Sequence, residues 1–228
     1  MSRAVVIPTY NEAENIKPLV EAIQAALPGL AIIIVDDGSP DGTGDIAEAL
    51  TGVTVIRRAG KLGLGSAYVT GFQHAIEAGF KQIGGMDADF SHDPAVLPDL
   101  FGMLETYDIA IGARYIPGGG VVNWSWRRRF LSRNANRIAR WALRLPASDM
   151  TSAFRAYSRD ALAAVGLDEM RCEGYAFLVE LLYRCWKKGY TIGETPIMFH
   201  DRERGASKLD RSEIVKGALN LLRLRFGR

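Results

Sequence analysis

The chain has 228 residues, of which 48% are hydrophobic and 24% charged, and its formal net charge is +2. This composition is ordinary for a globular protein that buries a sizeable core. No apolar run approaches the roughly 20 residues that a transmembrane helix needs, and the first apolar run, at residues 4–8, is too short for the h-region and cleavage site of a signal peptide. The sequence therefore predicts a protein without a membrane-spanning helix that stays on the cytoplasmic side.

The charges are divided unevenly along the chain. Residues 1–108 contain 6 lysines and arginines against 15 acidic residues, whereas residues 109–228 contain 22 against 11. The two halves therefore carry −9 and +11, and eight arginines but no acidic residue lie between Ile109 and Ser148. Such an asymmetry indicates a partner for the basic half.

In the first half, short apolar runs alternate with segments of helical periodicity. The runs predict five strands, at residues 4–7, 31–35, 53–56, 82–86 and 108–112. Apolar positions such as Ile16, Leu19 and Ile23 recur with helical spacing, and helices are predicted to end near residues 27, 50, 77 and 106. Thr9 or Asn11 is expected to cap the first helix.

The second half is expected to complete the same sheet with strands at residues 153–157 and 190–194. The three glycines at residues 118–120 are interpreted as a flexible joint between the halves. Strands that alternate with helices imply βαβ units and a mostly parallel sheet.

Polar clusters follow three of the predicted strands, at residues 8–12, 36–38 and 87–89. In open parallel sheets, ligands bind outside the carboxyl ends of the strands. The three clusters are therefore expected to contribute to one site.

Two carboxylates, Asp87 and Asp89, stand one residue apart directly after a predicted buried strand. Hard divalent cations such as Mg²⁺ take oxygen ligands and usually combine one or two carboxylates with substrate phosphates. The pair therefore predicts a metal site and a phosphorylated substrate. The alternative is an Asp-rich turn that caps the helix beginning near Pro94, because Asp and Ser favour turns and N-caps.

Two common nucleotide-binding folds are excluded by missing motifs. Gly63-x-Gly65 does not follow the first strand, which ends without a glycine, so a Rossmann dinucleotide site is rejected. The chain also lacks the Gly-Lys-Ser/Thr phosphate loop of the P-loop NTPases.

A series of motifs extends along nearly the whole chain. It comprises Val6-Ile7-Pro8-Thr9-Tyr10-Asn11-Glu12, Val35-Asp36-Asp37-Gly38-Ser39, Asp87-Ala88-Asp89, Gly112-Ala113-Arg114-Tyr115, Ser148-Asp149-Met150-Thr151-Ser152-Ala153-Phe154-Arg155, Gly174-Tyr175-Ala176-Phe177 with Glu180, and Asp201-Arg202-x-x-Gly205-x-Ser207-Lys208. The series resembles the inverting family 2 glycosyltransferases of the GT-A fold. Among these, it is similar to the polyprenol-phosphate (dolichol-phosphate) mannose synthases that lack transmembrane helices.

The resemblance implies an α/β fold with a mostly parallel central sheet flanked by helices, and with amphipathic helices towards the C-terminus. It implies a single GT-A domain over residues 1–228. Residues 1–113 would form the half that binds nucleotide and metal, and residues 114–228 the half that binds the acceptor and faces the membrane.

The resemblance also implies roles for particular residues. The nucleotide would be bound by Pro8, Tyr10, Glu12, Val35, Asp37 and Asp87. The metal, Mg²⁺ or Mn²⁺, would be held by Asp87 and Asp89 with a weaker or water-mediated contact from Ser91, where many relatives have Gln. The acceptor phosphate would be bound by Arg114, Arg128 and Ser132, and the residues implied in catalysis are Asp89, Arg114, Arg202 and Lys208. Which of Arg127, Arg128 and Arg129 contacts phosphate stays open.

The implied activity is transfer of mannose from GDP-mannose to polyprenyl (dolichyl) phosphate with inversion. A phosphate monoester is mostly a dianion at neutral pH, so this acceptor needs no general base. The alternatives are a glycosyltransferase of the same fold that uses UDP-glucose or another donor, and a non-catalytic nucleotide-binding protein at the membrane. A separate membrane-anchoring subunit is a possible further partner, and no nucleic acid is expected.

Two segments have the pattern of basic amphipathic helices. In residues 127–145, Arg133, Arg137, Arg140 and Arg144 recur at helical spacing beside an apolar stripe, and residues 214–228 have a similar pattern. Such helices can lie on an anionic membrane surface. The alternative is that each apolar stripe packs on the core and leaves a solvated basic face.

Overall fold

The computed structural model describes residues 1–170, 172 and 174–201. Nine strands lie in this part of the chain: β1 (Arg3–Thr9), β2 (Ala31–Asp36), β3 (Val53–Arg57), β4 (Gln82–Gly85), β5 (Ile109–Ala113), β6 (Gly120–Val122), β7 (Arg155–Ser158), β8 (Ile192–Pro196) and β9 (Met198–His200). The seven predicted strands are all confirmed, whereas the short strands β6 and β9 were not predicted.

The described residues also contain seven α-helices: α1 (Ala13–Ala26), α2 (Thr43–Glu48), α3 (Leu64–Glu77), α4 (Leu97–Gly102), α5 (Trp126–Leu143), α6 (Arg159–Ala164) and α7 (Tyr175–Lys187). The predicted helix at residues 95–106 is divided, because 3-10 turns at Pro94–Val96 and Met103–Glu105 flank α4.

The central sheet has the strand order β3-β2-β1-β4-β7-β5-β8. Only β7 among these strands runs against its neighbours, since it pairs antiparallel with both β4 and β5. Strands β6 and β9 form a separate two-stranded parallel sheet. The prediction of a mostly parallel sheet completed by the second half of the chain is confirmed.

Two apolar clusters, one on each face of the sheet, form the core. Successive side chains of β1 point to opposite faces of the sheet. Val6 belongs to the cluster that includes Phe72 of α3, and Ile7 belongs to the cluster that includes Leu19 of α1. Strands buried on both faces explain the continuous apolar runs of the sequence. Helices α1 and α3 therefore cover opposite faces of the sheet.

Pro8 lies in central strand β1, where a proline would normally interrupt the hydrogen-bond ladder. The Val6 carbonyl faces the β4 side of β1 and accepts from Met86 N at 3.1 Å. Because backbone groups two residues apart in a strand face the same neighbour, the backbone nitrogen of Pro8 also faces the β4 side. The pairing of β4 with β1 ends at Gly85 opposite Val6. Pro8 therefore lies beyond the last residue of β1 that pairs with β4, and its lack of an N–H removes no hydrogen bond from the sheet.

The predicted cap of α1 is wrong. Asn11 has a left-handed backbone with φ of 60°, and the N-cap residue Glu12 makes no capping bond with its side chain. The first N–H groups of the helix are instead bound by the loop after β2: Thr43 Oγ1 accepts from Glu12 N at 2.9 Å, and Asp41 Oδ2 accepts from Ala13 N at 3.0 Å. Residues distant in sequence thus replace the local cap.

The interpretation of residues 118–120 as a flexible joint is also wrong. A Cβ atom on Gly119 would lie 2.5 Å from the Ala113 carbonyl oxygen, and Gly120 N donates to Ile197 O at 2.9 Å. The glycines are present because the chain passes close to β5 and β8 at this point.

Helix α5 confirms the first predicted amphipathic helix, but its apolar residues do not all face the core. The side that packs inward carries Asn136, Ala139 and Leu143. The alternative of core packing is wrong for Leu131 and Ile138, which are exposed. The second predicted helix, at residues 214–228, lies outside the described residues, and no described helix is both long and apolar enough to cross a bilayer.

Candidate active site

The three polar clusters that follow β1, β2 and β4 lie side by side, because β1 is paired with β2 on one side and with β4 on the other. Thr9 Oγ1 donates to Asp36 Oδ1 at 3.0 Å, and Asp37 N donates to the Thr9 carbonyl at 3.0 Å. The three clusters therefore lie at the carboxyl ends of adjacent parallel strands, and their contribution to one site stays a prediction.

Asp36 and Asp37 are both buried, and they organise different loops. Asp36 accepts from the backbone N–H of Ser39 at 3.0 Å and so shapes the turn after β2. Asp37 accepts from Arg58 Nε at 2.6 Å and from the N–H groups of Leu62 and Gly63 at 3.1 and 3.3 Å. Asp37 therefore fixes the loop that leads into α3, beside the predicted nucleotide site.

Tyr10 and Glu12 lie at the start of the loop after β1, next to that same loop. The Tyr10 ring is partly exposed, and the Lys61 ammonium group lies 4.5 Å from its centroid. Glu12 Oε2 accepts from Asn15 Nδ2 at 2.7 Å. Pro8 and Val35 are opposite each other in β1 and β2, and Val35 is buried in the core.

The turn after β4 carries Asp87, Asp89 and Ser91. Asp89 Oδ1 accepts from Ser91 N at 3.0 Å and from the Ser91 hydroxyl, so Ser91 orients Asp89. The helix-capping role belongs to Asp93, whose carboxylate accepts from Ala95 N at 2.9 Å. The Asp-rich turn therefore does cap the segment that begins at Pro94, through Asp93 and not through Asp87 or Asp89, and the metal role of Asp87 and Asp89 stays a prediction.

The donor set of this turn suits a cation such as Mg²⁺ or Mn²⁺. Asp87 and Asp89 are half-buried carboxylates at the end of β4. Residues 1–170, 172 and 174–201 contain no cluster of three or more His, Cys, Asp or Glu side chains that could hold a metal. A metal at this turn would therefore need further ligands from a substrate or from water. Two carboxylates completed by phosphate oxygens and water are the usual environment of Mg²⁺ in phosphate-transferring sites.

Tyr68 of α3 and His92 contact Asp87 from two sides. Burial and the Asp87 charge raise the pKa of Tyr68 well above its ordinary value, so its hydroxyl stays protonated and donates to Asp87 Oδ1 at 3.3 Å. His92 is 1% exposed, and its Nδ1 accepts from Asp87 N at 3.4 Å. His92 is therefore a buried residue of the turn, directly beside Asp87.

Arg114 follows β5 and forms a buried ion pair with Asp149. Its Nε and Nη2 donate to the two carboxylate oxygens at 2.6 and 2.7 Å, and the exposed fractions of the two side chains are 6% and 0%. Burial favours a raised pKa for Asp149, but the hydrogen bonds and charge of Arg114 outweigh it and lower the pKa of that carboxyl. The pair is thus ionised, and its geometry fixes the guanidinium plane.

Arg128 and Ser132 lie one turn apart on the inward side of α5. Arg128 Nη1 donates to Asp201 Oδ2 at 2.6 Å, and Ser132 Oγ accepts from the Tyr115 hydroxyl at 2.6 Å. Arg114 lies 5.3 Å from the Tyr115 ring centroid. The structure therefore brings together the three residues predicted to bind the acceptor phosphate.

A chain of aromatic contacts connects the acidic turn with these arginines. His92 stacks on Phe154 at 5.1 Å and meets the edge of Phe199 at 5.4 Å, and Phe199 meets Trp124 at 5.5 Å. Trp124 in turn lies 4.1 Å from the Arg128 guanidinium carbon. The predicted metal turn and the predicted phosphate site therefore belong to one contiguous region.

The sequence model of Glycosyl transferase family 2 matches residues 4–166 of the chain. The chain belongs to this family. Every described side chain of the acidic turn and of the strand-end clusters lies within the matched segment, together with Arg114, Arg128 and Ser132.

Curated relatives of this family 2 glycosyltransferase extend the similarity along most of the chain. The polyprenol monophosphomannose synthase of Mycolicibacterium smegmatis is 43% identical over 92% of this chain and 82% of its own length. The undecaprenyl-phosphate mannosyltransferase of Micrococcus luteus is 39% identical over 96% of this chain and 91% of its own length.

Among solved structures, glucosyl-3-phosphoglycerate synthase from Mycobacterium tuberculosis has a similar fold. Its complex with Mn²⁺, UDP and glucosyl-3-phosphoglycerate aligns with a TM-score of 0.72 and 22% identity, covering 98% of this chain and 80% of that one. A second complex of the same enzyme contains Mg²⁺ and UDP. The similarity confirms the GT-A type of fold for this glycosyltransferase.

Some predicted residues of this glycosyltransferase lie outside the described part of the chain, and some site residues were not predicted. Arg202 and Lys208 belong to the first group. The second group is Tyr68, Trp124, Asp149, Phe199 and Asp201. Asp149 and Asp201 stand within the quoted motifs, but their arginine partners are 35 and 73 residues away, so only the fold identifies the pairs.

Proposed function

We propose that the protein transfers mannose from GDP-mannose to polyprenyl (dolichyl) phosphate with inversion, giving a polyprenyl-phosphate β-mannose. The observation that carries the proposal is the contact chain from the Asp87–Asp89 turn through His92, Phe199 and Trp124 to Arg128. This contact chain supports a proposed site for metal and diphosphate next to a proposed site for a second phosphate. The names of the two curated relatives support mannose as the sugar and a polyprenyl phosphate as the acceptor.

The acidic half would bind the donor. Tyr10 can stack on the base, and Glu12 and Asp37 can accept hydrogen bonds from guanine N–H groups or ribose hydroxyls. Asp87 and Asp89 would hold Mg²⁺ or Mn²⁺, with Ser91 keeping Asp89 oriented. When bound, the metal neutralises charge on the diphosphate as the bond to the sugar breaks.

The basic half would bind the acceptor. Arg114 and Arg128 supply charge-assisted hydrogen bonds to a phosphate, and the Ser132 hydroxyl adds a neutral donor one helical turn from Arg128. A phosphate oxygen then attacks the anomeric carbon on the face opposite the diphosphate. The new C–O bond forms as the bond to GDP breaks and its electrons leave with GDP, so one displacement inverts the sugar. Positioning and charge stabilisation are the protein's contribution.

The outer side of α5 would rest on an anionic membrane at its cytoplasmic face. Trp126, Phe130 and Trp141 are 72%, 62% and 83% exposed. Near the end of α5, an open depression of about 660 Å³ is lined by Arg137, Ile138, Arg140, Trp141, Arg144 and Leu145. Arginines beside exposed aromatic side chains suit a surface of anionic lipids. A separate membrane-anchoring subunit would add to this attachment.

A radiolabelled donor tests the proposal. The protein is incubated with labelled GDP-mannose, Mg²⁺ or Mn²⁺ and a polyprenyl phosphate, and the lipid phase is extracted. We expect an acid-labile labelled lipid whose formation stops when the metal is chelated. An active, metal-loaded preparation that yields no lipid product contradicts the proposal.

A donor comparison separates this function from the alternative with UDP-glucose. That alternative is considered because the structurally similar synthase is seen in complexes with UDP. The same assay is run with labelled GDP-mannose and with labelled UDP-glucose at equal concentrations. We expect product from GDP-mannose alone, and product from UDP-glucose alone would replace the proposed donor.

A further inference from the structure

We propose that Trp124 is a binding residue for the acceptor and that its indole N–H donates a hydrogen bond to the acceptor phosphate. The inference rests on the proposed function, because it assigns a further residue to the same acceptor site. Trp124 lies in the segment between β6 and α5, at the point where three other elements of the site converge.

Trp124 is surrounded by the groups predicted to bind the phosphate. The guanidinium carbons of Arg128 and Arg114 lie 4.1 and 5.5 Å from the centroid of its ring. The ring of Phe199 in β9 meets it edge-on at 5.5 Å. Two cations thus lie close to one indole, and the aromatic contacts limit how far the ring can turn.

Two N–H donors in this cluster are unused. Trp124 Nε1 and Arg128 Nε are buried and have no hydrogen-bond partner within the described part of the chain. A buried donor without a partner costs free energy, and native proteins retain few of them. The two donors belong to side chains in direct contact, so one acceptor group that enters beside them can bind both.

The neighbouring carboxylates are already engaged with other atoms. Asp149 accepts from Nε and Nη2 of Arg114, and Asp201 accepts from Nη1 of Arg128. A phosphate has several acceptor oxygens and is favoured by charge-assisted hydrogen bonds. It can therefore accept from Arg128 Nε and Trp124 Nε1 together, without displacing either ion pair.

The indole also suits this position chemically. Its N–H is a donor and has no acceptor capacity, so it favours an oxyanion over a group that must itself donate. It adds direction without adding charge to a site where two arginines are compensated by two carboxylates. Its apolar ring suits the junction between a phosphate and the hydrocarbon chain of a lipid.

Phenylalanine substitution removes the N–H and keeps an aromatic ring, so we compare Trp124→Phe with the matched control Trp186→Phe in α7. Binding of a short-chain isoprenyl phosphate, of inorganic phosphate and of GDP with Mg²⁺ is measured by titration calorimetry. Because a hydrogen bond to a charged acceptor is lost, we expect the Kd of the isoprenyl phosphate to rise about 10-fold or more in Trp124→Phe. The Kd of GDP should stay within about 2-fold in both variants, since that is the change expected where no hydrogen bond is lost.

A spectroscopic measurement on the wild-type protein covers the case in which Trp124→Phe fails to fold. The chain has four tryptophans, so each indole N–H gives one of four ¹H–¹⁵N resonances, which the single Trp→Phe variants assign; if Trp124→Phe cannot be made, variants of the other three assign it by elimination. Isoprenyl phosphate should shift the Trp124 resonance downfield and leave that of Trp186 in place. A smaller shift with inorganic phosphate would show that the phosphate group alone is recognised.

The possible outcomes separate this inference from the proposed function. An unchanged Kd in Trp124→Phe, or a Trp124 resonance that does not move while wild-type protein binds isoprenyl phosphate, overturns the role of Trp124 and leaves the proposed acceptor standing. A weakened affinity for GDP instead would assign the indole to the donor. Wild-type protein that fails to bind isoprenyl phosphate overturns both proposals.

Discussion

The two halves of the molecule hold their functional side chains in different ways. In the acidic half, carboxylates at the strand ends accept from backbone N–H groups and hydroxyls of neighbouring loops, as in the contacts of Asp36 with Ser39 and of Asp37 with Leu62, and Asp37 also pairs with Arg58. In the basic half, the arginines are bound by carboxylates from distant parts of the chain, as in Arg114 with Asp149 and Arg128 with Asp201. The first arrangement leaves carboxylates at an edge where a cation and a nucleotide can bind. The second arrangement holds cations in ion pairs, one buried and one partly exposed, at positions where a phosphate could bind.

The largest loss, in enzymatic activity, should follow from a substitution in the acidic turn. Asp89→Ala removes a carboxylate of the predicted metal site, and a metal contributes several kcal/mol of charge stabilisation. We expect lipid-product formation to fall about 10²-fold or more, Mn²⁺ binding in the presence of GDP to weaken, and vesicle binding to persist. Asp93→Ala is the control, because Asp93 only caps the next 3-10 turn. Full product formation by Asp89→Ala would remove this turn from the mechanism.

In the basic half, the corresponding test measures how much the buried ion pair of Arg114 contributes to the stability of the fold. Asp149→Asn leaves the buried Arg114 charge without its carboxylate, and breaking a buried pair in this way costs about 3–5 kcal/mol. We expect the midpoint of urea denaturation to fall accordingly. Asp45→Asn breaks an ion pair with Arg57 that lies at the surface, and the midpoint should not change measurably. Equal effects of the two substitutions would contradict the difference drawn between buried and exposed pairs.

The same ion pair makes stability depend on pH. Because the pKa of Asp149 is lowered in the folded protein, the pair contributes its full stabilisation above the unfolded value of about 4. This contribution is lost as the pH falls from about 4 through the lowered folded pKa. Denaturation of wild-type protein measured between pH 7 and 3 should show this loss, and Asp149→Asn should show a shallower dependence. Parallel curves for the two proteins would exclude Asp149 as a source of the acid sensitivity.

A smaller effect, on membrane binding, is expected from substitutions on the outer side of α5. Combined replacement of Arg137, Arg140 and Arg144 by Gln should weaken binding to anionic vesicles by about 1 kcal/mol per arginine. Co-sedimentation with phosphatidylserine vesicles measures the loss, and raised salt should reduce it because the attraction is screened. Lys17→Gln, on α1 in the acidic half, should bind as wild-type protein does. Unchanged binding by the triple variant would show that α5 is not the membrane surface.

The smallest effect concerns the loop that caps α1. Asp41→Ala removes the acceptor for Ala13 N and Thr43 N and should lower the free energy of unfolding by about 1 kcal/mol. Asp41→Asn keeps one acceptor oxygen of the two, which accept from different N–H groups, and should restore about half of the loss. If both variants lose the same stability, the negative charge of Asp41 matters more than the capping bonds.

Much of the acidic half could be predicted from the sequence because the rules that apply there are periodic. Continuous apolar runs identified strands covered on both faces, and the parallel arrangement places the ends of such strands at one edge. Asp37, Asp87 and Asp89 are therefore predicted from the sequence to lie at the same edge of the sheet. The cap of α1 was missed because a loop that follows the next strand supplies it, and local pattern does not report such a contact.

The sequence by itself determined the alternation of strands and helices, the acidic turn after β4 and the basic amphipathic pattern of α5. Hydrophobic periodicity and short motifs suffice for these features, since each depends on neighbouring residues. Only the tertiary structure decided that Asp149 orients Arg114, that Asp201 pairs with Arg128, and that Trp124 lies close to both arginines. These contacts depend on where β5, β9 and α5 meet, because chain segments far apart in sequence become neighbours only when the sheet is assembled.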